Sequence, residues 1–235
     1  MPATSAALAA SAEGFGWARS SLAVTFLRGC VAGLALAVGL EALGTLAGRN
    51  FHTVIPGAVY RCSQPTPRGL EAIVRAHGIR TVINLRGCCD GFDWYTAECR
   101  ATHDLDVCQE DVTFSAGRLP PPDELRRLVD VLDHTEPPIV IHCRQGVDRT
   151  GLTAAVALLL YTDTGLTEAR RQLSFRYSHV SLGRTTAMLR FFDLYAEWLA
   201  GRPHSPDLFR RWATTEYCPG PERGRPAQIV GPREG

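Results

Sequence analysis

The most constraining feature of the sequence is an apolar strand that leads through a glycine turn into a helix apolar almost all round. Residues 139–141 form the strand, Gly146 lies in the turn, and residues 150–161 form the helix. A helix without a polar face has to be buried, and the strand that leads into it has to share its core. The segment therefore predicts an α/β domain with this strand and helix at its centre.

The pattern around this segment alternates between strands and helices. Further strands are predicted at 59–61, 81–85 and 107–112. Helices are predicted from the spacing of apolar residues at 70–77, 94–103, 120–132, 166–173 and 188–199. Strands separated by helices indicate a central, mostly parallel sheet flanked by helices.

The composition excludes several classes of enzyme. The chain has 235 residues with 25 basic and 24 acidic side chains, and every basic residue is an arginine. Without lysine the chain cannot form a Walker phosphate loop, a Schiff base or a protein kinase site. A net charge of +1 argues against a nucleic-acid partner. The eight cysteines lack C-x-x-C pairs, so no metal site is predicted.

The ends of the chain differ in composition from the central domain, which we expect at residues 48–200. Residues 1–20 are predicted to be a disordered N-terminus, and residues 201–235, rich in Pro, Gly and Arg, a flexible tail. Between the disordered N-terminus and the domain, residues 21–47 are predicted to be a hydrophobic membrane anchor or signal segment.

The hydrophobic run at residues 29–47 has one charge, Glu41, and is compatible with three interpretations. Its length predicts a single-pass membrane anchor. The alternatives are a cleaved signal peptide, because Thr45 and Ala47 suit a small-residue cleavage site, and a peripheral or buried helix, because Glu41 is costly in lipid. For an anchor, Arg19 and Arg28 favour an extracytoplasmic catalytic domain.

The turn after the central strand carries a cysteine and an arginine six positions apart. Cys143 ends the strand and Arg149 begins the helix. A helix N-terminus offers unpaired N–H groups and the positive end of the helix dipole, which suit a phosphate-sized anion. The same environment stabilises a thiolate, so Cys143 is predicted to be a strong nucleophile. Arg149 can grip two phosphate oxygens as a bidentate fork.

The pattern His142-Cys143-x5-Arg149-Thr150 resembles the signature of the cysteine-dependent protein tyrosine and dual-specificity phosphatases. Residues 54–65 and 81–86 are similar to bacterial dual-specificity-like members, which often carry an N-terminal membrane segment. The resemblance covers roughly residues 51–200. It implies a protein tyrosine phosphatase-like fold and hydrolysis without a metal or other cofactor.

The resemblance also implies roles for the residues of this loop. Cys143 attacks phosphorus and forms a phosphocysteine, Thr150 helps the thiolate leave, and His142 orients the loop. Arg149 holds the phosphoryl oxygens together with the loop N–H groups, which belong to Arg144, Gln145, Gly146, Val147 and Asp148.

The leaving oxygen needs a proton, and relatives place an Asp on a mobile loop before the cysteine. Asp111, 32 positions before Cys143, is the candidate that this spacing favours. Glu110 and Asp123 are nearby, although Asp123 suits the first turn of a helix. Asp148, inside the loop, either positions water and tunes the site or forms an outward-facing salt bridge.

The function predicted from these residues is phosphoester hydrolysis of the protein tyrosine or dual-specificity type, on a phosphorylated protein or a small phosphoester. One alternative is an inositol phosphate or phosphoinositide phosphatase. The absence of lysine in the loop argues against it, although Arg144 could serve instead. A second alternative is a non-catalytic module that binds phosphorylated ligands. Arg61 and Arg86 are expected to form ion pairs within the domain rather than to take part in catalysis.

Overall fold

The computed structural model describes residues 24–39, 50–180, 183 and 186–220 of the chain. The chain divides into two compact units, Met1–Ala47 and Gly48–Gly235. In the first unit the structure describes a helix, α1, over residues 24–39, whose side chains are exposed. The remainder of the predicted N-terminal segments, residues 1–23 and 40–47, lies outside the described residues.

The second unit is built on a five-stranded sheet with the order β1-β2-β5-β3-β4. Strand β5 lies in the middle, parallel to both neighbours, and β3 is parallel to β4. Strand β1 alone runs antiparallel, against β2 at the sheet edge. The strands are β1 (His52–Ile55), β2 (Val59–Ser63), β3 (Thr81–Asn84), β4 (Cys108–Asp111) and β5 (Ile139–Cys143). The predicted mostly parallel α/β fold is thus confirmed.

Helices cover both faces of this sheet. They are α2 (Pro67–His77), α3 (Asp93–Asp104), α4 (Pro122–His134), α5 (Asp148–Tyr161), α6 (Leu166–Ala169), α7 (Thr186–Leu199) and α8 (Pro206–Arg211). Helix α5 is buried at every position from Thr150 to Ala157. Its apolar circumference therefore has the central place that the sequence predicts. Residues of α4, α5 and α7 pack into one large core with β3 and β5.

The parallel strands end at a common edge of the sheet. Cys143, the last residue of β5, is in register with Ser63 of β2. His142 is in register with Asn84 of β3, which in turn faces Asp111 of β4. The carboxyl ends of parallel strands form the usual binding crevice of an open α/β sheet, and this edge therefore positions the site.

The prediction of a flexible tail from residue 201 onward is wrong for its first part. Helix α8 begins at Pro206 and is capped by Ser205, whose side chain accepts a hydrogen bond from the N–H of Leu208. A one-turn π-helix, Trp212–Glu216, follows. Phe209 and Trp212 are buried in the main core, against Phe191 and Tyr195 of α7. The burial of these aromatic side chains orders the segment, although its Pro, Gly and Arg content predicted a flexible tail. Residues 221–235 lie outside the described part.

The prediction of a single-pass anchor, with membrane contact through residues 29–47 and an extracytoplasmic catalytic domain, is also wrong. Over the described ranges 24–39, 50–180 and 186–220, none of the helices combines the length and apolarity that a membrane crossing requires.

Candidate active site

A loop between β5 and α5 forms the floor of a pocket at the carboxyl edge of the sheet. Cys143 is buried at the end of β5, and Arg149 lies in the first turn of α5. The pocket has a volume of about 290 Å³. Its lining brings together most of the residues predicted for the loop, and consists of Ala116, Cys143, Arg144, Gln145, Val147, Asp148 and Arg149.

Side chains and backbone behind the loop hold its carbonyl groups. The amide of Asn50 donates to the carbonyl oxygen of Gly146 at 3.1 Å and to that of Gln145 at 3.5 Å. The guanidinium of Arg61 donates to the carbonyl oxygens of Gly146 at 2.8 Å and Val147 at 3.3 Å. The backbone N–H of Gln64 donates to the carbonyl oxygen of Arg144 at 3.4 Å.

These contacts determine where the loop N–H groups point. In a trans peptide the C=O and the following N–H face opposite ways. Because the carbonyls of residues 144–147 point to donors behind the loop, the N–H groups of residues 145–148 point to the other side, where the pocket lies. The result is a concave group of donors that suits a tetrahedral anion.

Arg61 is a buried cation in the middle of this support. Its side chain is fully buried in β2 and also donates to both the backbone and side-chain oxygens of Gln172, at 2.8 and 2.9 Å. The guanidinium carbon lies 4.1 Å from the ring centroid of Tyr177. Burial lowers the pKa of Arg61 to about 10, so it stays charged at neutral pH. The expected ion pair is thus replaced by carbonyl oxygens and an aromatic face.

Gly146 is the loop position at which a side chain cannot fit. Its φ angle is 70°, in the left-handed region. A Cβ atom there would lie 2.5 Å from the backbone nitrogen of Ser63 and 2.6 Å from the carbonyl carbon of Cys62. Glycine therefore allows the loop to pack directly against the end of β2.

The side chain of Arg149 reaches the segments that follow β3 and β4. Its guanidinium donates to the carbonyl oxygen of Leu85, after β3, at 3.1 Å and to that of Phe114, after β4, at 3.3 Å. Its Nε atom is buried and has no hydrogen-bond partner within the described chain. The side chain is thus held on one side and retains donor capacity for a ligand.

His142 lies under the loop in a polar network that includes a buried carboxylate. Its Nε2 atom is 3.0 Å from Oε1 of Glu98, and both side chains are almost completely buried. The other Glu98 oxygen accepts from the amide of Gln64 at 3.0 Å, and Gln64 in turn accepts from Arg86. Arg86 stacks on Trp94, with its guanidinium carbon 3.4 Å from the ring centroid. The network links α3 to β5 and to the residue that follows β2.

Two buried hydroxyl groups on the elements that flank the loop have no hydrogen-bond partner among the residues that the structure describes. One belongs to Thr150, in the first turn of α5, and the other to Ser63, in register with Cys143. A hydroxyl can rotate its proton toward a neighbouring anion. Both hydroxyl groups therefore keep a proton that no described residue accepts.

The predicted acid, Asp111, does not line the pocket that contains Cys143 and Arg149. One of its carboxylate oxygens accepts from the amide of Asn84 at 2.7 Å, and the other accepts from the hydroxyl of Tyr95. The hydrogen bond to Asp111 raises the pKa of Tyr95. Asp111 thus lies at the expected sheet edge, but both of its oxygens are engaged there.

Asp148 does line the pocket, with its carboxylate 2.7 Å from Nδ1 of His179. This replaces the outward-facing salt bridge considered from the sequence, because the His179 side chain is only 2% exposed.

Sequence reasoning missed His179, Asn50 and the role of Arg61. The one local signal of these supporting residues was the charged side chain of Arg61 within the buried strand β2. Over the described residues, no cluster of three or more side chains could hold a metal ion.

Comparison with known proteins identifies the family. Residues 49–187 match the family model described as DSP-PTPase phosphatase fused to NAD+ kinase. The chain belongs to this DSP-PTPase phosphatase family. The matched segment contains the whole sheet, the Cys143 loop and His179. Searching curated proteins gives no match.

Solved structures share the fold of this DSP-PTPase domain at low sequence identity. P. aeruginosa TpbA in complex with pTyr is 16% identical with a TM-score of 0.50, over 71% of this chain and 91% of TpbA. A DUF442 protein from Shewanella putrefaciens is 13% identical with a TM-score of 0.51, over 63% of this chain and 90% of that one. The core catalytic domain of the PP-IP phosphatase SIW14 from S. cerevisiae is 19% identical with a TM-score of 0.48, over 65% of this chain and 91% of that one.

Proposed function

We propose that this DSP-PTPase domain hydrolyses phosphate monoesters of the protein tyrosine or dual-specificity class through a phosphocysteine on Cys143. The observation that carries the proposal is the loop whose carbonyls are held from behind by Asn50 and Arg61. It directs the N–H groups of residues 145–148 toward the pocket that Cys143 lines. Donors fixed in this way stabilise charge on the phosphoryl oxygens without reorganising.

In the proposed reaction, the Cys143 thiolate attacks phosphorus and the ester oxygen leaves with a proton. Arg149 and the loop N–H groups hold the phosphoryl oxygens through the transition state. Water then attacks the phosphocysteine, and the hydroxyl of Thr150 hydrogen-bonds to the departing thiolate. The buried Thr150 hydroxyl, unpartnered in the described chain, supports that role.

The substrate preference is proposed from the pocket. Its walls present Arg144 and Arg149 as cations and no wall residue with a large apolar surface, which suits a range of phosphoesters. Inositol phosphates and phosphoinositides are the second candidate class, because Arg144 is a second cation for another phosphate. A role as a binding module without turnover is disfavoured by the presence of both Cys143 and Arg149.

A substrate panel with the full chain tests the proposal. The panel contains an aryl phosphate, a phosphotyrosine peptide, a phosphoserine peptide and phosphoinositide vesicles, with Cys143→Ser as the blank. We expect phosphate release from the aryl phosphate and the phosphotyrosine peptide, and none from the blank, which should still bind inorganic phosphate. Acid quenching during turnover should trap phosphate on the peptide that contains Cys143. Equal phosphate release by the blank would overturn the proposal, and release from phosphoinositides alone would favour the second class.

A further inference from the structure

The segment after β4 brings no acid to the Cys143 pocket. Residues 112–121 contain neither Asp nor Glu, and the part of this segment that lines the pocket is Ala116. Asp111, just before it, has both carboxylate oxygens hydrogen-bonded to Asn84 and Tyr95. The leaving oxygen of a phosphate ester nevertheless needs a proton unless it is already stable as an anion.

One carboxyl group lines the pocket within the described chain, and it belongs to Asp148. Its side chain is 18% exposed, so it is sheltered but open to the cavity. Asp148 is the first residue of α5 and precedes Arg149 directly. It therefore stands in the same loop that would hold the phosphoryl group.

A buried histidine fixes this carboxyl group. Nδ1 of His179 lies 2.7 Å from Oδ1 of Asp148. The His179 backbone is held in turn, because its N–H donates to the carbonyl oxygen of Ser174 at 3.1 Å. Nε2 of His179 is buried and has no hydrogen-bond partner in the described residues. The imidazole thus directs one nitrogen at Oδ1 of Asp148, and no described residue hydrogen-bonds to the second Asp148 oxygen.

We propose that Asp148 is the general acid of this site, in place of a residue in or next to the segment after β4, and that His179 is the positioning residue that holds it. The inference rests on the proposed phosphatase function. When the Cys143 thiolate attacks, the S–P bond forms and the P–O ester bond breaks. The leaving oxygen keeps that electron pair and takes the proton from the Asp148 carboxyl.

The second step returns the proton. The Asp148 carboxylate takes a proton from water as the water oxygen bonds to phosphorus. The P–S bond breaks with its electron pair on sulfur, which regenerates the Cys143 thiolate and leaves Asp148 protonated for the next cycle. No oxidant, metal or further co-reactant is needed.

A purely structural role for Asp148 is the alternative, since an acidic side chain in the first turn of a helix is favourable. That role conflicts with the position of the side chain in an anion pocket. A permanently ionised carboxylate beside a phosphate dianion repels it, whereas a carboxyl that carries a proton can donate it.

The dependence on the leaving group separates these roles. Full-length Asp148→Asn is compared with the unchanged chain on 4-nitrophenyl phosphate, whose leaving group needs no proton, and on an alkyl phosphate, whose leaving group does. We expect kcat/KM to fall by about 10²–10⁴-fold on the alkyl phosphate and by far less on 4-nitrophenyl phosphate. Asp148→Ser is the second variant without a carboxyl, and inhibition by inorganic phosphate verifies that the loop of each variant is intact.

Asp111→Asn is the matched control, and it is expected to change kcat/KM on both substrates by the same factor. His179→Leu should reproduce part of the selective loss on the alkyl phosphate, and His179→Asn, which keeps a donor, should restore it. Equal losses on both substrates in Asp148→Asn and Asp148→Ser would overturn the inference, as would a selective loss in Asp111→Asn. If the unchanged chain hydrolyses neither substrate, the proposed function itself fails, and the inference fails with it.

Discussion

The guanidinium of Arg61 in β2 donates a 2.8 Å hydrogen bond to the carbonyl oxygen of Gly146, which lies 85 positions further along the chain. A fully buried cation in one strand thereby fixes the turn that follows another. Asn50 donates to the same carbonyl at 3.1 Å. The shape of the Cys143 loop is thus set from behind by two residues that do not line its pocket.

Replacing Arg61 should destabilise the whole domain. In Arg61→Met the backbone and side-chain oxygens of Gln172 lose their donor inside the protein. A buried acceptor without a donor costs about 1–3 kcal/mol, so the free energy of unfolding should fall by about 2 kcal/mol or more, as measured by urea denaturation. Arg75→Met is the control, because Arg75 is 74% exposed and forms its ion pair with Glu71 on the surface. It should change stability by less than about 1 kcal/mol. Equal effects of the two substitutions would argue against a supporting role for Arg61.

Gly146→Ala should impair both folding and turnover, and Gly57 offers a matched comparison. The two glycines have nearly the same φ, 70° and 71°. A Cβ at Gly57 meets nothing within 4 Å, but at Gly146 it meets the backbone of Cys62 and Ser63. Gly57→Ala should therefore cost only the left-handed strain of about 1–2 kcal/mol.

Gly146→Ala adds a backbone collision to that strain. The loop has to shift, and we expect kcat/KM on an aryl phosphate to fall by about 100-fold, with Gly57→Ala close to the unchanged chain. The measurement is steady-state hydrolysis alongside thermal denaturation. Similar kinetics for both alanine variants would mean that the loop tolerates displacement from β2.

The aromatic residues of the C-terminal segment should contribute core stability. Phe209 of α8 is completely buried and packs against Phe191, Tyr195 and Trp212. Phe209→Ala should lower the free energy of unfolding by about 3–5 kcal/mol, as measured by chemical denaturation. Phe175→Ala removes the same atoms from a side chain that is 74% exposed, and it should change stability by no more than about 0.5 kcal/mol. A small effect of Phe209→Ala would mean that the segment after residue 200 contributes little to the core, as the prediction of a flexible tail implies.

Much of the fold could be predicted because its signals are local. The apolar run at 139–141, the glycine turn and the helix at 150–161 lie within one short stretch, so strand, loop and helix follow from the lengths of the two apolar runs and the glycine between them. The positions of Cys143 and Arg149 at the two ends of that loop follow from the same pattern. The C-terminal segment was less predictable, because composition does not show whether aromatic residues find a core.

Local sequence patterns are sufficient for the order of strands and helices, for the loop with its Cys143 and Arg149, and for the resemblance that leads to the DSP-PTPase family. Folding establishes which distant residues support that loop and which carboxyl group lines the pocket. Asp111 has the expected spacing, yet Asn84 and Tyr95 hold it at the sheet edge. Asp148 is held by His179, 31 positions away. Hydrogen-bond partners that are distant in the chain become neighbours through the packing of the strands, so no local pattern can encode them.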